Sequence, residues 1–168
     1  MDFTTERLTI RPIGPGDTAR LGKLLTDEIV GKTYMLPVFS SSGEVMAFCG
    51  RLAELSSLQD RYISAICLDD QLIGMVNDTE ITAGTIEIGY AILPRFHNRG
   101  FGTEMLGGTI RYLLKQGFTE IVTGAFSENK ASIRIMEKNG MQPMEKREKI
   151  EYRGKVHECI YYHYRRDM

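Results

Sequence analysis

Apolar and polar residues alternate from Ile86 to Leu93, so Ile86, Ile88, Tyr90 and Ile92 share one side of an extended chain and Glu87, Gly89, Ala91 and Leu93 the other. Pro94 ends the pairing, because it has no N–H to give a neighbouring strand. The period then changes. Met105, Leu106, Ile110, Leu113 and Leu114 recur at helical spacing, and between strand and helix Gly100 and Gly102 bracket Phe101 in a turn. The rest of the chain can be placed around this strand, turn and helix.

Before it, Phe3–Ile13 reads as a strand, and Gly14, Pro15 and Gly16 break it. Asp17 is the expected N-cap of a helix carrying Leu21, Leu24, Leu25 and Ile29. The segment from Lys32 to Ser42 is a loop whose Tyr34, Met35, Leu36 and Phe39 are read as folding back onto the core, with the lining of an acceptor pocket as the alternative. Gly43–Leu58 is a second helix. Arg61–Leu68 and Leu72–Ile81 form a hairpin about Asp69-Asp70-Gln71, and Thr82-Ala83-Gly84-Thr85 turns the chain into the central strand. Beyond the central helix come a strand over Glu120–Phe126, a helix capped by Ser127 and ended by Asn139-Gly140, and two strands, Met144–Tyr152 and Lys155–Arg165, about Arg153-Gly154. This order predicts an α+β fold: one mixed, mostly antiparallel sheet of about seven strands with about four helices, in one domain over residues 1–168.

Charge and cysteine content narrow the function. Lys plus Arg number 21 against 22 for Asp plus Glu, which gives no reason to expect a nucleic acid or an anionic membrane as partner. Cys49, Cys67 and Cys159 have no metal-type spacing and read as buried free thiols of a reducing compartment. No segment resembles a signal peptide or a membrane span, and a cytoplasmic protein is expected. His97, His157 and His163 are not spaced as metal ligands, so no metal is expected.

The glycine turn opens a helix, where free N–H groups and the positive end of the dipole favour a phosphate or pyrophosphate, and Arg95 and Arg99 add charge. Two glycines can also simply shape a tight turn, and spacing alone leaves both readings open. Two other phosphate motifs are excluded. A dinucleotide fingerprint would need glycine where Met105 stands, and Gly31-Lys32-Thr33 lacks the first P-loop glycine, its place being taken by Thr26.

The run His97-Asn98-Arg99-Gly100-Phe101-Gly102 resembles the acyl-CoA signature of the GNAT acetyltransferases, with His97 where Gln or Arg is usual. TERLTIRPIGPGD near the N-terminus, Asn129-Lys130-Ala131-Ser132 and Glu137-Lys138-Asn139-Gly140-Met141 are similar to further blocks of its RimJ/RimL-like branch. The resemblance implies a protein that moves acetyl from acetyl-CoA to a protein or peptide α-amine. Other acceptors, such as an aminoglycoside, polyamine or amino acid, stay open, as does a non-catalytic CoA-binding module.

The resemblance also implies roles. The main-chain N–H groups from Asn98 through Arg99, Gly100, Phe101 and Gly102 to Thr103 would seat the pyrophosphate, with His97 part of the same loop. Ile92 and Leu93 would offer unpaired main-chain groups to pantetheine, and Asn129 would hydrogen-bond it. Glu87 is the candidate general base, with a water chain ending on Glu80 or Asp78 as the alternative. Many members carry a tyrosine that protonates the leaving thiolate. Met136 holds that position here, and Ser132, one helical turn earlier, is the closest hydroxyl, read either as the acid or as a hydrogen-bond partner of CoA. The final IYYHYRR run can pair with a second subunit to make a homodimer, or cover the core.

Overall fold

The structure is a computed structural model that describes residues 1–166. Its strands are β1 (Phe3–Thr4), β2 (Thr9–Arg11), β3 (Ser64–Leu68), β4 (Gln71–Thr82), β5 (Thr85–Ile92), β6 (Glu120–Phe126), β7 (Gln142–Tyr152) and β8 (Lys155–Arg165). The α-helices are α1 (Thr18–Leu25), α2 (Ser42–Ser56), α3 (Phe101–Lys115) and α4 (Lys130–Lys138). All eight strands form one sheet in the order β1-β2-β3-β4-β5-β6-β8-β7. Every neighbouring pair is antiparallel except β5 and β6.

The expected class is found, with one strand more than about seven. The extra strand arises because Phe3–Ile13 is not continuous: Thr5 N–H donates to the Leu8 carbonyl at 2.8 Å, and β1 folds back on β2 with Phe3 opposite Ile10. Three local expectations are corrected. Asp17 does not cap α1 with its side chain; its carboxylate instead accepts from Gly14 N–H at 2.8 Å and from both terminal nitrogens of Arg11 at 2.7 and 3.0 Å. Helix α1 stops at Leu25, which leaves Ile29 outside it and 54 % exposed. The cap of α4 is Asn129, whose side chain accepts from Ser132 N–H, while Ser127 N–H continues the sheet to the Glu158 carbonyl at 2.8 Å.

The expected hairpin turns hold for a visible reason. Asp69 and Asp70 have φ of 47° and 60°, and Arg153 and Gly154 have 50° and 71°, the paired left-handed backbone of a two-residue turn whose twist matches its strands. Alternation along β5 divides the interior in two. Ile86 and Ile88 pack with Met105, Leu106, Ile110 and Leu113 of α3 and Met136 of α4. Ala91 and Leu93 join Leu21, Leu24 and Leu25 of α1 and Cys49 and Leu52 of α2. Each fully buried Leu or Ile contributes about 1.5–3 kcal/mol over leaving it exposed. Strand β8 is paired on both edges, so Tyr161 and Tyr162 of the IYYHYRR run are buried inside the fold instead of offering a sheet edge. No helix among the described residues is long and apolar enough to cross a membrane.

Candidate active site

Strands β5 and β6 stay together only briefly. Thr85, Ile86 and Glu87 pair with Glu120, Ile121 and Val122, and beyond that register the two strands diverge. Main-chain groups alternate in direction along a strand. Leu93 N–H donates to the Ile73 carbonyl of β4 at 2.8 Å, so Ile92 and Tyr90 turn their N–H and C=O the other way, into the opening. Both main-chain groups of Leu93 are already engaged, since its carbonyl also accepts from Phe96 N–H at 2.9 Å. The ring of His97 reaches back to this edge, with Nε2 donating to the Ile92 carbonyl at 2.7 Å.

The turn after β5 ends at Gly100, whose φ of +80° is left-handed, a conformation that costs any residue with a Cβ. Asn98, at φ 57°, is the other left-handed residue of this turn and belongs to a type that tolerates it. The first intrahelical bond of α3 runs from Glu104 N–H to the Gly100 carbonyl at 3.0 Å, so the N–H groups of Phe101, Gly102 and Thr103 have no acceptor within the helix. His97, Asn98, Arg99 and Gly100 are exposed. Two cations flank the turn: the guanidinium carbons of Arg7 and Arg99 lie 4.5 and 5.0 Å from the Phe101 ring centroid. Backbone donors, a dipole end and the guanidinium of Arg99, which meets no carboxylate among the described residues, are features that favour an anion.

Arg7 and Glu104 were not legible from motif spacing, yet they fasten this turn. Glu104 accepts from Arg7 N–H at 2.7 Å, Arg7 Nε at 2.7 Å and the Thr5 hydroxyl at 2.6 Å, and Arg7 also donates to the Arg99 carbonyl at 3.1 Å. Burial pushes the Glu104 carboxyl up, but the bonds from Thr5 and Arg7 outweigh it and hold the group below the usual glutamate value. A depressed folded-state value gives stability that is present above pH 4.5 and is lost as the pH falls through the folded value. The difference in thermal midpoint between the wild type and Glu104→Gln is therefore expected to be large at neutral pH and to narrow steadily in acid. A difference that does not change with pH would remove the carboxylate as its cause.

On the other side of the sheet, Glu87 stands beside Thr79 and Lys146. The Thr79 hydroxyl donates to it at 3.0 Å, and Lys146 Nζ lies 3.7 Å away. The Tyr34 hydroxyl donates to Asn77 Oδ1, and the Tyr34 ring lies over Gly89 at the centre of β5. Burial raises the Tyr34 hydroxyl well above its ordinary value, so it stays protonated as a donor. Of the other two carboxylates, Glu80 is exposed and lies opposite Glu87 in the β4–β5 register. Asp78 is buried and occupied by Arg61 Nε and Tyr62 N–H, each at 2.8 Å. Next to Tyr34 and Asn77 is a cavity of about 290 Å³ whose walls combine apolar residues such as Leu25, Phe48 and Leu52 with Arg51, Arg61 and Asp78. In the loop over residues 32–42, Leu36 is buried in the core with Tyr34 and Phe39 packed against it, and Tyr34, Met35, Leu36 and Pro37 border this cavity.

The loop is held from a distance. The Tyr152 hydroxyl, at the end of β7, donates to the Gly31 carbonyl at 2.9 Å and accepts from Leu36 N–H at 3.2 Å. Across the opening, Ser132 Oγ is 3.3 Å from the Tyr90 hydroxyl, and Asn129 fixes the first turn of α4 below it. Met136 is fully buried in the core. His157 stacks on Phe126 and pairs with Glu128, and His163 pairs with Glu120 at 2.6 Å. No cluster able to hold a metal ion occurs among the described residues.

Residues 7–142 match the model of the acetyltransferase (GNAT) domain family. The chain belongs to the GNAT acetyltransferases. It is 28 % identical over 141 residues to YokL, an SPbeta prophage-derived uncharacterized N-acetyltransferase of Bacillus subtilis strain 168, over 82 % of this chain and 77 % of that protein. In fold it is similar to a GNAT-family acetyltransferase from Bacillus anthracis, with a TM-score of 0.83, 23 % identity and 98 % of each chain covered. It is also similar to RimL, a ribosomal L7/L12 alpha-N-protein acetyltransferase solved with coenzyme A, at a TM-score of 0.84 and 16 % identity, over 96 % of this chain and 95 % of that one. Along β5, Glu87 lies where the strand still pairs with β6, and the Gly100 turn follows its other end, past the point where the two strands diverge.

Proposed function

We propose that this GNAT acetyltransferase, of the RimJ/RimL-like branch, moves an acetyl group from acetyl-CoA to the N-terminal α-amine of a protein by direct attack in a ternary complex in the cytoplasm. The observation that carries the reading is the opening between β5 and β6, where the Ile92 N–H and the main-chain groups of Tyr90 have no partner strand and the Gly100 turn follows. A pantetheine amide can add to that edge as a further strand would, with its pyrophosphate on the N–H groups from Asn98 to Thr103 and Arg99 alongside. The match in fold to RimL, solved with coenzyme A, supports both donor and acceptor class.

The chemistry follows from the two sides of the sheet. The cofactor enters beside α3 and α4, and the amine arrives on the side of Glu87, Tyr34 and Asn77. The Ile92 N–H is placed to polarise the thioester carbonyl, a donor of the kind worth about 3 kcal/mol in the transition state. Glu87 takes the proton of the attacking amine, directly or through water. Thr79 and Lys146 orient its carboxylate.

The cavity beside Tyr34, with Arg51, Arg61 and Asp78 among its otherwise mostly apolar lining, offers room for a compact side chain next to the amine. That same observation supports a second reading, a small amine in place of a peptide. Thermal unfolding with acetyl-CoA, CoA and ATP tests the donor first. A ligand at a hundred times its dissociation constant stabilises by about 2.7 kcal/mol, so both CoA species are expected to raise the midpoint and ATP is not. No shift with acetyl-CoA would overturn the reading. Thiol release with N-terminal peptides against small amines then separates the two acceptor classes.

A further inference from the structure

The cavity beside Tyr34 carries a charge that its own residues do not cancel. Arg51 of α2, Arg61 and Asp78 border it, two guanidiniums against one carboxylate. Asp78 and Arg61 neutralise each other: Arg61 Nε donates to Oδ2 and Tyr62 N–H to Oδ1, each at 2.8 Å. The terminal nitrogens of Arg61 make no hydrogen bond among the described residues, so they are left for another acceptor. Arg51 forms no ion pair among the described residues, although Glu54 follows it on α2 at a spacing that permits one. One positive charge is thus left over in a wall that is otherwise mostly apolar, with Phe48 and Leu52 on the same helix as Arg51.

This surplus stands on the side of the sheet where the amine reacts. Asn77, which accepts the Tyr34 hydroxyl, also borders the cavity and lies opposite Gly89 in the β4–β5 register. Glu87 is two residues from Gly89 on the same face of β5, about 7 Å along the strand. An acceptor entering here meets a carboxylate where its amine reacts and guanidiniums where the rest of that residue extends. A molecule of opposite charge at its two ends answers both.

We propose that the acceptor carries a carboxylate in the same residue as its reacting amine, and that Arg51 and the terminal nitrogens of Arg61 receive it. This rests on the acetyltransferase reading above and narrows its acceptor. A guanidinium offers parallel N–H donors that match the two oxygens of a carboxylate. The apolar wall covers the carbons between the two charges, and an uncharged residue of the same shape leaves the guanidiniums with water alone. The carboxylate can belong to the side chain of an N-terminal Asp or Glu of a protein, or be that of a free amino acid.

The test titrates acceptors into the complex with CoA, in which no acetyl group can move, and then reads kcat/KM by thiol release with acetyl-CoA. The probes are two pairs that differ in charge and hardly in shape: one peptide beginning with Glu and the same peptide beginning with Gln, and leucine against leucinamide. In one of these pairs the acid is expected to bind about tenfold more tightly than its neutral partner, the value of a hydrogen bond to a charged group. That preference should shrink as salt is raised. Arg51 is exposed on α2, so Arg51→Gln should fold with an unchanged midpoint, and it should cut the preference to less than about threefold, while Arg51→Lys keeps more of it. A preference in the peptide pair assigns the carboxylate to a protein N-terminus, and one in the leucine pair assigns it to a free amino acid. Equal affinities and equal kcat/KM within both pairs, or a preference that Arg51→Gln leaves whole, overturn the inference and leave the acetyltransferase reading standing. Failure of wild type to bind acetyl-CoA overturns both.

Discussion

Glu87→Gln is expected to lower kcat by about a hundred- to ten-thousandfold, the range in which a single general base contributes. Glutamine keeps the length of the side chain and can still accept the Thr79 hydroxyl, which lies 3.0 Å from Oε1. What it loses is the capacity to take the amine proton. It also loses the charge facing Lys146, but that contact is 3.7 Å long on a lysine 39 % exposed, so stability should change by less than about 1 kcal/mol. The expected pattern is a large fall in turnover with an unaltered unfolding midpoint and an unaltered acetyl-CoA shift. Retained turnover would move the base to a water ending on Glu80, because both oxygens of Asp78 are engaged by Arg61 and Tyr62.

Gly102→Val should weaken acetyl-CoA binding at least tenfold and should also cost stability. A Cβ at position 102 would come within 2.6 Å of Ile135 Cδ1 on α4 and 3.9 Å of Ile92 Cδ1. The side chain therefore enters the space between α3, α4 and the open edge of β5. Overpacking of this kind costs about 1–3 kcal/mol when neighbours cannot move fully aside. Ile135 meets the new group with the end of a flexible side chain, so the fold should survive at a lower midpoint. Isothermal titration of the folded variant separates the two losses. Wild-type affinity in a destabilised Gly102→Val would mean that the glycine serves only the packing of α3 on α4.

Local chemistry made much of this legible in advance. The alternation of Ile86 to Leu93, the Pro94 stop and the helical spacing from Met105 to Leu114 each express one backbone geometry within a dozen residues. Both hairpin turns are legible for the same reason, although Gln71, expected in the first of them, already belongs to β4. The break of the first strand was missed because Phe3, Leu8 and Ile10 satisfy an extended pattern whether or not the chain folds back between them. At α4, Ser127 and Asn129 are both capping types, and only the sheet bond from Ser127 to Glu158 decides between them. Arg7 with Glu104, Tyr90 with Ser132, and Tyr152 with Gly31 join residues tens of positions apart, and no period or motif encodes such meetings. A polar side chain in the middle of an apolar strand face, as Tyr90 is, was the available hint that its hydroxyl must find a partner.

The divergence of β5 from β6 also bears on aggregation. It creates a sheet edge in the middle of the sheet, and an unpaired row of N–H and C=O groups is a template for any passing strand. Proteins usually protect outer edges with charge, proline or a bulge. Here the protection comes from inside the fold: His97 covers the Ile92 carbonyl, Tyr90 and Ser132 bridge the gap, and Pro94 stops the edge from lengthening. The edge is thereby short, and the turn that follows it carries the cations of Arg95 and Arg99, a charge that discourages a further strand from docking there.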